Sequence, residues 1–288
     1  MTNSRPLVSI VTPSFNQGQY LEQAIVSVLD QTYPHIEYLV IDGGSTDQSV
    51  GIIKKYQLKL AYWHSRPDKG FGDALAQGFQ KSKGEVLAYL NSDDLLAPDA
   101  VAKAVEVLTR QIDVVMVYGN RACIDEKGRL LYYKPSLPIL ARTPYIATTI
   151  SQESCFWRRE IYLGVGGINT GLKFAIDYDL FSKITRQGKV VHAGRVWGFF
   201  RKHRNSKTMT QLETLGMPEG AIVQAAVWGK RVNHIQWLTA QFIARFYALV
   251  AVSFIKKPQW PACLPRAKKQ NVLRRFFKSF HRNRRGDR

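Results

Sequence analysis

The sequence predicts an α/β fold: a doubly wound, mostly parallel, Rossmann-like sheet with a C-terminal helical extension suited to a membrane surface. Three observations predict it. Short apolar runs alternate with segments whose apolar residues recur at helical spacing over roughly the first 120 residues. Polar loops follow the first, second and fourth of these runs. Beyond residue 208 the chain turns apolar and then strongly basic.

Leu7–Val11 is the first buried strand, followed by the loop Pro13-Ser14-Phe15-Asn16. Tyr20, Leu21, Ala24, Ile25, Val28 and Leu29 then share one helical face, and that helix must stop before Pro34. Ile36–Ile41 is the second strand and ends at Asp42-Gly43-Gly44. Ser45-Thr46-Asp47-Gln48 has the form of a capping box opening the second helix. Tyr62–His64 is a third strand. Gly70–Lys81 is a helix with Ala74, Leu75, Gly78 and Phe79 on one side. Val86–Leu90, the fourth strand, runs into Asn91-Ser92-Asp93-Asp94. Pro98 suits the first position of the next helix, and Val114–Tyr118 is another strand.

On a parallel sheet the three polar loops lie at one edge, where open α/β sheets bind ligands. Phe15, Asp42 and Asp93 are therefore expected to converge. Carboxylates at the end of a buried strand suit a hard divalent cation that bridges to phosphate. A polar strand-to-helix loop, with Asp94 capping the next helix, is the competing reading.

After residue 120 the pattern changes. Cys123–Tyr133 reads as a hairpin turning at Glu126-Lys127-Gly128, and Leu137–Ile150 as a loop. Ser151–Trp157 is a strand, Gly164-Val165-Gly166-Gly167 a turn, and Ile176–Leu180 the opening of a short helix. Val190–Ala193 and Val196–Phe200 are two strands, and helices follow from Leu212.

The net charge of +19 in 288 residues implies an anionic partner: nucleic acid, an anionic membrane or a phosphorylated substrate. Much of it sits at the end of the chain, where Lys256 to Arg288 contain a single acid, Asp287. Cys123, Cys155 and Cys263 are far apart and lack metal-ligand spacing, which fits a reducing compartment. The polar start, Met1 to Pro6, shows no signal peptide, so a cytoplasmic location is expected.

Six segments together resemble glycosyltransferase family 2, the GT-A nucleotide-sugar transferases. They are Val8–Asn16, Leu39–Asp47, Asp68-Lys69-Gly70 with Asp73-Ala74-Leu75, Leu90–Asp94, Asp177-Tyr178-Asp179-Leu180, and Arg201–Thr208. The resemblance covers about residues 7–208, which it marks as a catalytic domain, with 209–288 as the extension. It implies an inverting enzyme that moves a sugar from a nucleotide-diphospho-sugar, a UDP-sugar foremost, to a hydroxyl.

The resemblance also implies roles. Pro13, Phe15, Asp42, Asp68, Lys69, Asn91 and Ser92 would bind the nucleotide, with Phe15 flat against the base and Asp42 accepting a hydrogen bond from it. Asn91-Ser92-Asp93 occupies the place of the Asp-X-Asp motif, with Asn replacing the first acid. Asp93, with Asp94 and His203 beside it, would hold Mg²⁺ or Mn²⁺. Arg201, Lys202 and Arg204 would attract phosphate. Asp177 would be the general base, with Asp179 its rival, and Ile176 stands where the family often has Glu. The competing reading for Asp177 is the N-cap of a Tyr178–Gln187 helix. Gln152 and Glu153 would line the acceptor side.

Gln241–Ile255 is apolar but shorter than the about 20 residues that a spanning helix needs, and it contains Arg245. It reads as a helix lying in the membrane interface. Leu273, Phe276, Phe277 and Phe280 follow at helical spacing beside Arg274, Arg275 and Lys278, as in a segment that settles on anionic lipid. A solvated tail is the alternative. The expected acceptor is a lipid-linked glycan at the inner face of the plasma membrane. Two other classes stay open: a non-catalytic nucleotide-sugar-binding relative, and a nucleic-acid-binding protein, which would leave the clustered acids unexplained.

Overall fold

The computed structural model describes residues 5–138, 141–145, 150–255 and 258–265. β1 (Val8–Ser14) is buried along its whole length. It pairs in parallel with β2 (Ile36–Asp42) and β4 (Val86–Tyr89), and β2 pairs in parallel with β3 (Tyr62–Ser65). Strand side chains alternate between two layers, as the pleat requires. Val8, Ile10, Tyr38 and Val40 pack with α1 (Gly18–Leu29) and α4 (Ala100–Arg110). Val11, Leu39 and Ile41 pack on the opposite face with α3 (Phe71–Lys81). A Cβ on Gly78 of α3 would fall 2.4 Å from Val11 Cγ1, so glycine there lets the helix seat directly on the strand.

The sheet runs β3-β2-β1-β4-β8-β6-β9-β5, with β7 attached to β6. These later strands are β5 (Leu95–Leu96), β6 (Val114–Ile124), β7 (Leu130–Lys134), β8 (Cys155–Arg158) and β9 (Lys189–Arg201). The sheet is parallel from β3 to β4 and mixed beyond: β8 is antiparallel to β4 and β6, and β9 is parallel to β6. β5 pairs with the far end of β9, Leu95 facing Phe199, which curls β9 back toward the loop after β4. The remaining helices are α2 (Ser49–Tyr56), α5 (Arg159–Gly164), α6 (Ile176–Ile184), α7 (Lys207–Thr210), α8 (Met217–Trp228) and α9 (His234–Ala251).

Several boundaries differ from the sequence expectation, each for a local reason. β1 continues through Pro13 to Ser14, because its β4 ladder ends at Val11 and one flank no longer needs an N–H from residue 13. The capping box does not form: the Ser45 hydroxyl donates to Asp42, and Asp47 Oδ1 accepts from Ser49 N at 2.9 Å, so α2 starts at Ser49. Pro98 precedes its helix by two residues, its carbonyl accepting from Thr32 N. Gln152–Ser154 forms a 3-10 turn ahead of β8. The two strands expected over 190–200 are one, continuous through Gly194 at φ +66°. α6 begins at Ile176, so Asp177 lies inside its first turn and Ala175 caps it.

α9 opens with a capping box, Asn233 accepting from Gln236 N and Gln236 accepting from Asn233 N. His234–Phe254 is long and apolar enough to cross a membrane, and only 11% of an apolar 18-residue window within it is buried. Ile235, Leu238, Phe242, Phe246 and Val250 are exposed along it. The basic amphipathic segment expected over 273–280 lies outside the described residues.

Candidate active site

One cleft of about 1530 Å³ runs along the sheet edge where β1, β2 and β4 end, and on under α8 and α9. Pro13, Phe15, Asp68, Asn91, Ser92 and Asp93 line it, as do Asp94, Gln152, Glu153 and Asp177. Asp42, Lys69 and His203 do not appear on its wall.

The wall at the ends of β1 and β2 is built by two tied loops. Asp42 is fully buried, and its carboxylate accepts from Ser45 N at 2.8 Å, Ser45 Oγ at 2.6 Å, Ser65 Oγ at 2.7 Å and Gly44 N at 3.2 Å. That side chain shapes the loop beneath the cleft. The wall itself is Gly43, where a Cβ would come within 2.9 Å of Asp68 Oδ2. Burial raises the Asp68 carboxyl against the opposing N–H of Gly70. Lys69 is exposed and donates its backbone N–H to Asp73. Phe15 is 60% exposed at the rim. Asn16 beside it is left-handed, φ 51°, and bridges the two loops: its N–H donates to Ser45 Oγ and its Oδ1 accepts from Thr46 N, both at 2.8 Å.

The two neighbouring acids after β4 part company. Asp93 Oδ2 lies 2.8 Å from His203 Nε2. Asp94 turns inward, accepting from Arg201 N at 2.9 Å and from the Asn91 amide at 3.2 Å. Burial, with Asp93 and Glu153 nearby, pushes the Asp94 carboxyl well above the ordinary carboxylate range. Of the three expected metal ligands the fold therefore brings Asp93 and His203 together. Among the described residues no group of three or more His, Cys, Asp or Glu side chains is placed to hold a metal ion. A carboxylate oxygen and an imidazole nitrogen still fit Mg²⁺ or Mn²⁺, which complete their shells with substrate phosphate and water.

Arg201 is not a phosphate ligand. It is 1% exposed; its guanidinium donates to Gln23 Oε1 at 2.6 Å and to the carbonyls of Asp93, Asp125 and Glu126, and it lies over the Tyr20 ring. It ties β9 to the loop that presents Asp93.

Asp177 faces the cleft from the first turn of α6, where the helix dipole favours its charge. Its Oδ1 accepts from Tyr178 N at 2.8 Å, and burial raises its carboxyl. The loop that leads into α6 hangs on Glu219 of α8, whose carboxylate accepts the N–H groups of Lys173, Phe174 and Ala175 at 2.8–2.9 Å. Asp179 is buried and paired with Lys183 at 2.6 Å, away from the cleft. Further along the cleft Gln152 links Asn91 to the Tyr89 carbonyl. Glu153 pairs with Arg121 at 2.8 Å, its second oxygen without a partner among the described residues. A Cβ on Gly198 would meet Glu153 Cγ at 2.4 Å and its backbone within 3.0 Å, so that glycine admits Glu153 to the site.

Sequence reasoning missed Gly43, Tyr89, Arg121, Gly198 and Glu219. Only Gly43 carried a local signal, the glycine pair after Asp42. Tyr89 sits on the cleft floor, its hydroxyl raised by burial and then by Asp177.

A sheet that is parallel on one side and mixed on the other, with a carboxylate–imidazole pair and a helical Asp on or beside one cleft at its edge, has the architecture of the GT-A fold. The sequence pattern of glycosyl transferase family 2 matches residues 9–165, more than half of the chain, and the chain belongs to that family. An uncharacterized glycosyltransferase of Rickettsia typhi is 32% identical over 219 residues, 73% of this chain and 68% of that protein. Chondroitin synthase of Escherichia coli is 28% identical over 193 residues, 66% of this chain but 28% of the synthase. The chain thus spans under a third of that larger relative. Among solved structures, a mannosyltransferase from Pyrobaculum calidifontis in complex with GDP-Man and Mn²⁺ matches with TM-score 0.61 and 19% identity, over 87% of this chain and 73% of that one. TarS residues 1–349 of S. aureus in complex with UDP-GlcNAc matches with TM-score 0.61 and 17% identity, over 85% and 81%.

Proposed function

We propose that the protein is an inverting, metal-dependent transferase that moves a sugar from a nucleotide-diphospho-sugar, a UDP-sugar foremost, to a hydroxyl of a lipid-linked glycan in surface polysaccharide or glycolipid synthesis. The observation that carries it is that Asp177 and Asp93 line one cleft, Asp93 backed by His203. The relatives include chondroitin and hyaluronan synthases, and the neighbours hold GDP-Man or UDP-GlcNAc, which supports the reading.

Asp177 takes the proton of the acceptor hydroxyl as that oxygen bonds to the anomeric carbon. The bond from that carbon to the diphosphate breaks, and its electron pair leaves with the nucleotide. One carboxylate suffices, since no covalent sugar–enzyme intermediate is formed. Asp93 and His203 would hold the cation, which offsets charge developing on the leaving diphosphate. Phe15 and Pro13 offer an apolar surface to the base, and Asp42 fixes the loop that carries Gly43 through its bonds to Gly44, Ser45 and Ser65. Asn91 and Ser92 face the ribose and diphosphate. Asp94 braces the loop.

The extension brings the reaction to a membrane. His234, Trp237, Gln241, Ala244, Arg245 and Ala248 form the cleft-lining face of α9, while Leu238, Phe242, Ile243, Phe246 and Val250 face out. A helix lying in the interface keeps Arg245 out of hydrocarbon, which crossing would not. The test is a thermal-shift screen of nucleotide sugars with and without Mn²⁺, followed by transfer assays of Asp177→Asn. Mn²⁺-dependent stabilisation by a nucleotide sugar, kept in Asp177→Asn while transfer vanishes, is the expected result. Undiminished transfer by Asp177→Asn would refute the assignment.

A further inference from the structure

β9, β6 and β7 turn a common face into the cleft. In their register Arg121 stands opposite Lys134, and Cys123 stands between Tyr132 and Phe200. Lys202 follows Phe200 by two positions and continues the same face, as the strand period requires. Arg121, Lys134, Lys202, Tyr132 and Phe200 all line the cleft.

The charges on this face do not balance. Arg121 is matched by Glu153 at 2.8 Å and lies over the Phe200 ring, 4.7 Å from its centroid. Lys202 rests over the Tyr132 ring at 5.3 Å. Lys134 has no hydrogen bond, ion pair or ring contact among the described residues. Burial, with Arg121 and Lys202 repelling, lowers its ammonium to about 8. Lys134 is half-buried, and Glu153, already paired with Arg121, only partly offsets three crowded cations, so an anion entering the cleft would relieve them. The sheet order sets this face beyond β8, on the far side of β4 from the β1 and β2 loops that form the donor wall.

We propose that Lys134, with Lys202 and Arg121, forms an acceptor subsite for an anionic group, a carboxylate or phosphodiester carried by the acceptor glycan near its reacting hydroxyl. The proposal rests on the transferase reading and adds the acceptor's chemical class. Tyr132 and Phe200 floor the subsite as flat surfaces for the sugar ring between charges. Lys134 sets which acceptors are taken, by selecting their charge.

The test compares three oligosaccharides of equal length: one bearing uronate carboxylates, one bearing phosphodiesters and one neutral. Binding is read by calorimetry on the full chain with UDP and Mn²⁺ present, and turnover by acceptor KM. The expected result is an anionic-over-neutral preference on the order of tenfold, abolished in Lys134→Met and kept in Lys134→Arg. The better of the two anionic ligands identifies the source of the charge. Two results would overturn the proposal. One is equal binding of neutral and anionic ligands. The other is a loss of UDP affinity in Lys134→Met as large as the loss for the acceptor, which would move Lys134 to the donor diphosphate. An anion preference that depends on Lys134 in a chain that transfers no sugar would uphold the subsite and refute the transferase reading instead.

Discussion

His203 Nε2 and Asp93 Oδ2 meet at 2.8 Å, joining the end of β9 to the loop after β4 across 110 residues of sequence. His203 is held there by the Tyr20 ring, 5.0 Å centroid to centroid, and by the Arg201 clamp next to it in the chain. Under the proposed function these two side chains would supply the protein's share of a cation site. His203→Ala is expected to raise the Mn²⁺ concentration for half-maximal transfer by about tenfold, and Asp93→Asn by more. The check is a Mn²⁺ titration of both transfer and nucleoside diphosphate binding. Variants with an unchanged Mn²⁺ requirement would remove the pair from the metal.

Asp177 titrates above an ordinary carboxylate because it is buried. A base works only when ionised, so kcat/KM is expected to fall as the pH drops through that raised value and to level off above it. Asp177→Asn should lower the rate by about 10²–10⁴-fold and erase the acid limb. A pH–rate profile of both proteins decides; an acid limb that survives in the variant belongs to another group.

Gly198 leaves no room for a methyl group, since Glu153 side-chain and backbone atoms fill the space. Gly198→Ala is expected to lower stability by about 1–3 kcal/mol, as overpacking does in a filled core. It should also displace Glu153 from Arg121 and so raise the acceptor KM more than the donor KM. Urea unfolding and two-substrate kinetics measure the two effects separately.

His192 reports on folding. Burial lowers its imidazole from 6.5 to about 4, and its ring meets Asn120 Oδ1 at 2.8 Å. Between those values the unfolded chain binds a proton that the folded chain does not. Stability is therefore complete above pH 6.5 and falls as the pH drops toward 4, by about 3 kcal/mol at most. Unfolding free energies at several pH values should show this slope in the native protein and a flatter one in His192→Gln.

α9 exposes Phe242 at 70% and Phe246 at 63%. Replacing both by Ser is expected to weaken binding to vesicles of anionic lipid by about tenfold or more, since each loses most of a phenyl group's transfer energy. Melting temperature should hold, because neither side chain is packed. Vesicle sedimentation of the pair against the native chain gives the answer, and equal sedimentation would assign membrane binding elsewhere.

How much of this was legible depends on how far apart the partners lie in sequence. β1, β2 and β4 announce themselves as apolar runs, and Phe15, Asp42 and Asp93 at or after their ends fall at the edge that a parallel sheet predicts. Asp93 and Asp94 cannot be told apart locally. The curl that pairs β5 with β9 presents one to His203 and buries the other against Arg201. Arg201 looks like a phosphate ligand in a run of basic residues, yet three distant carbonyls and Gln23 consume its donors. Lys134 and Arg121 have no local signal at all, because a strand cation becomes meaningful only when its neighbours are known.

Glu219 gives the C-terminal part of the chain a second duty. Its three hydrogen bonds hold the loop that aims α6, so Asp177 is oriented by a segment synthesised after it. Contacts from α8 are therefore part of the site: a change that detaches Glu219 would leave Asp177 misaimed while the loops at Asp42 and Asp93 keep their own hydrogen bonds.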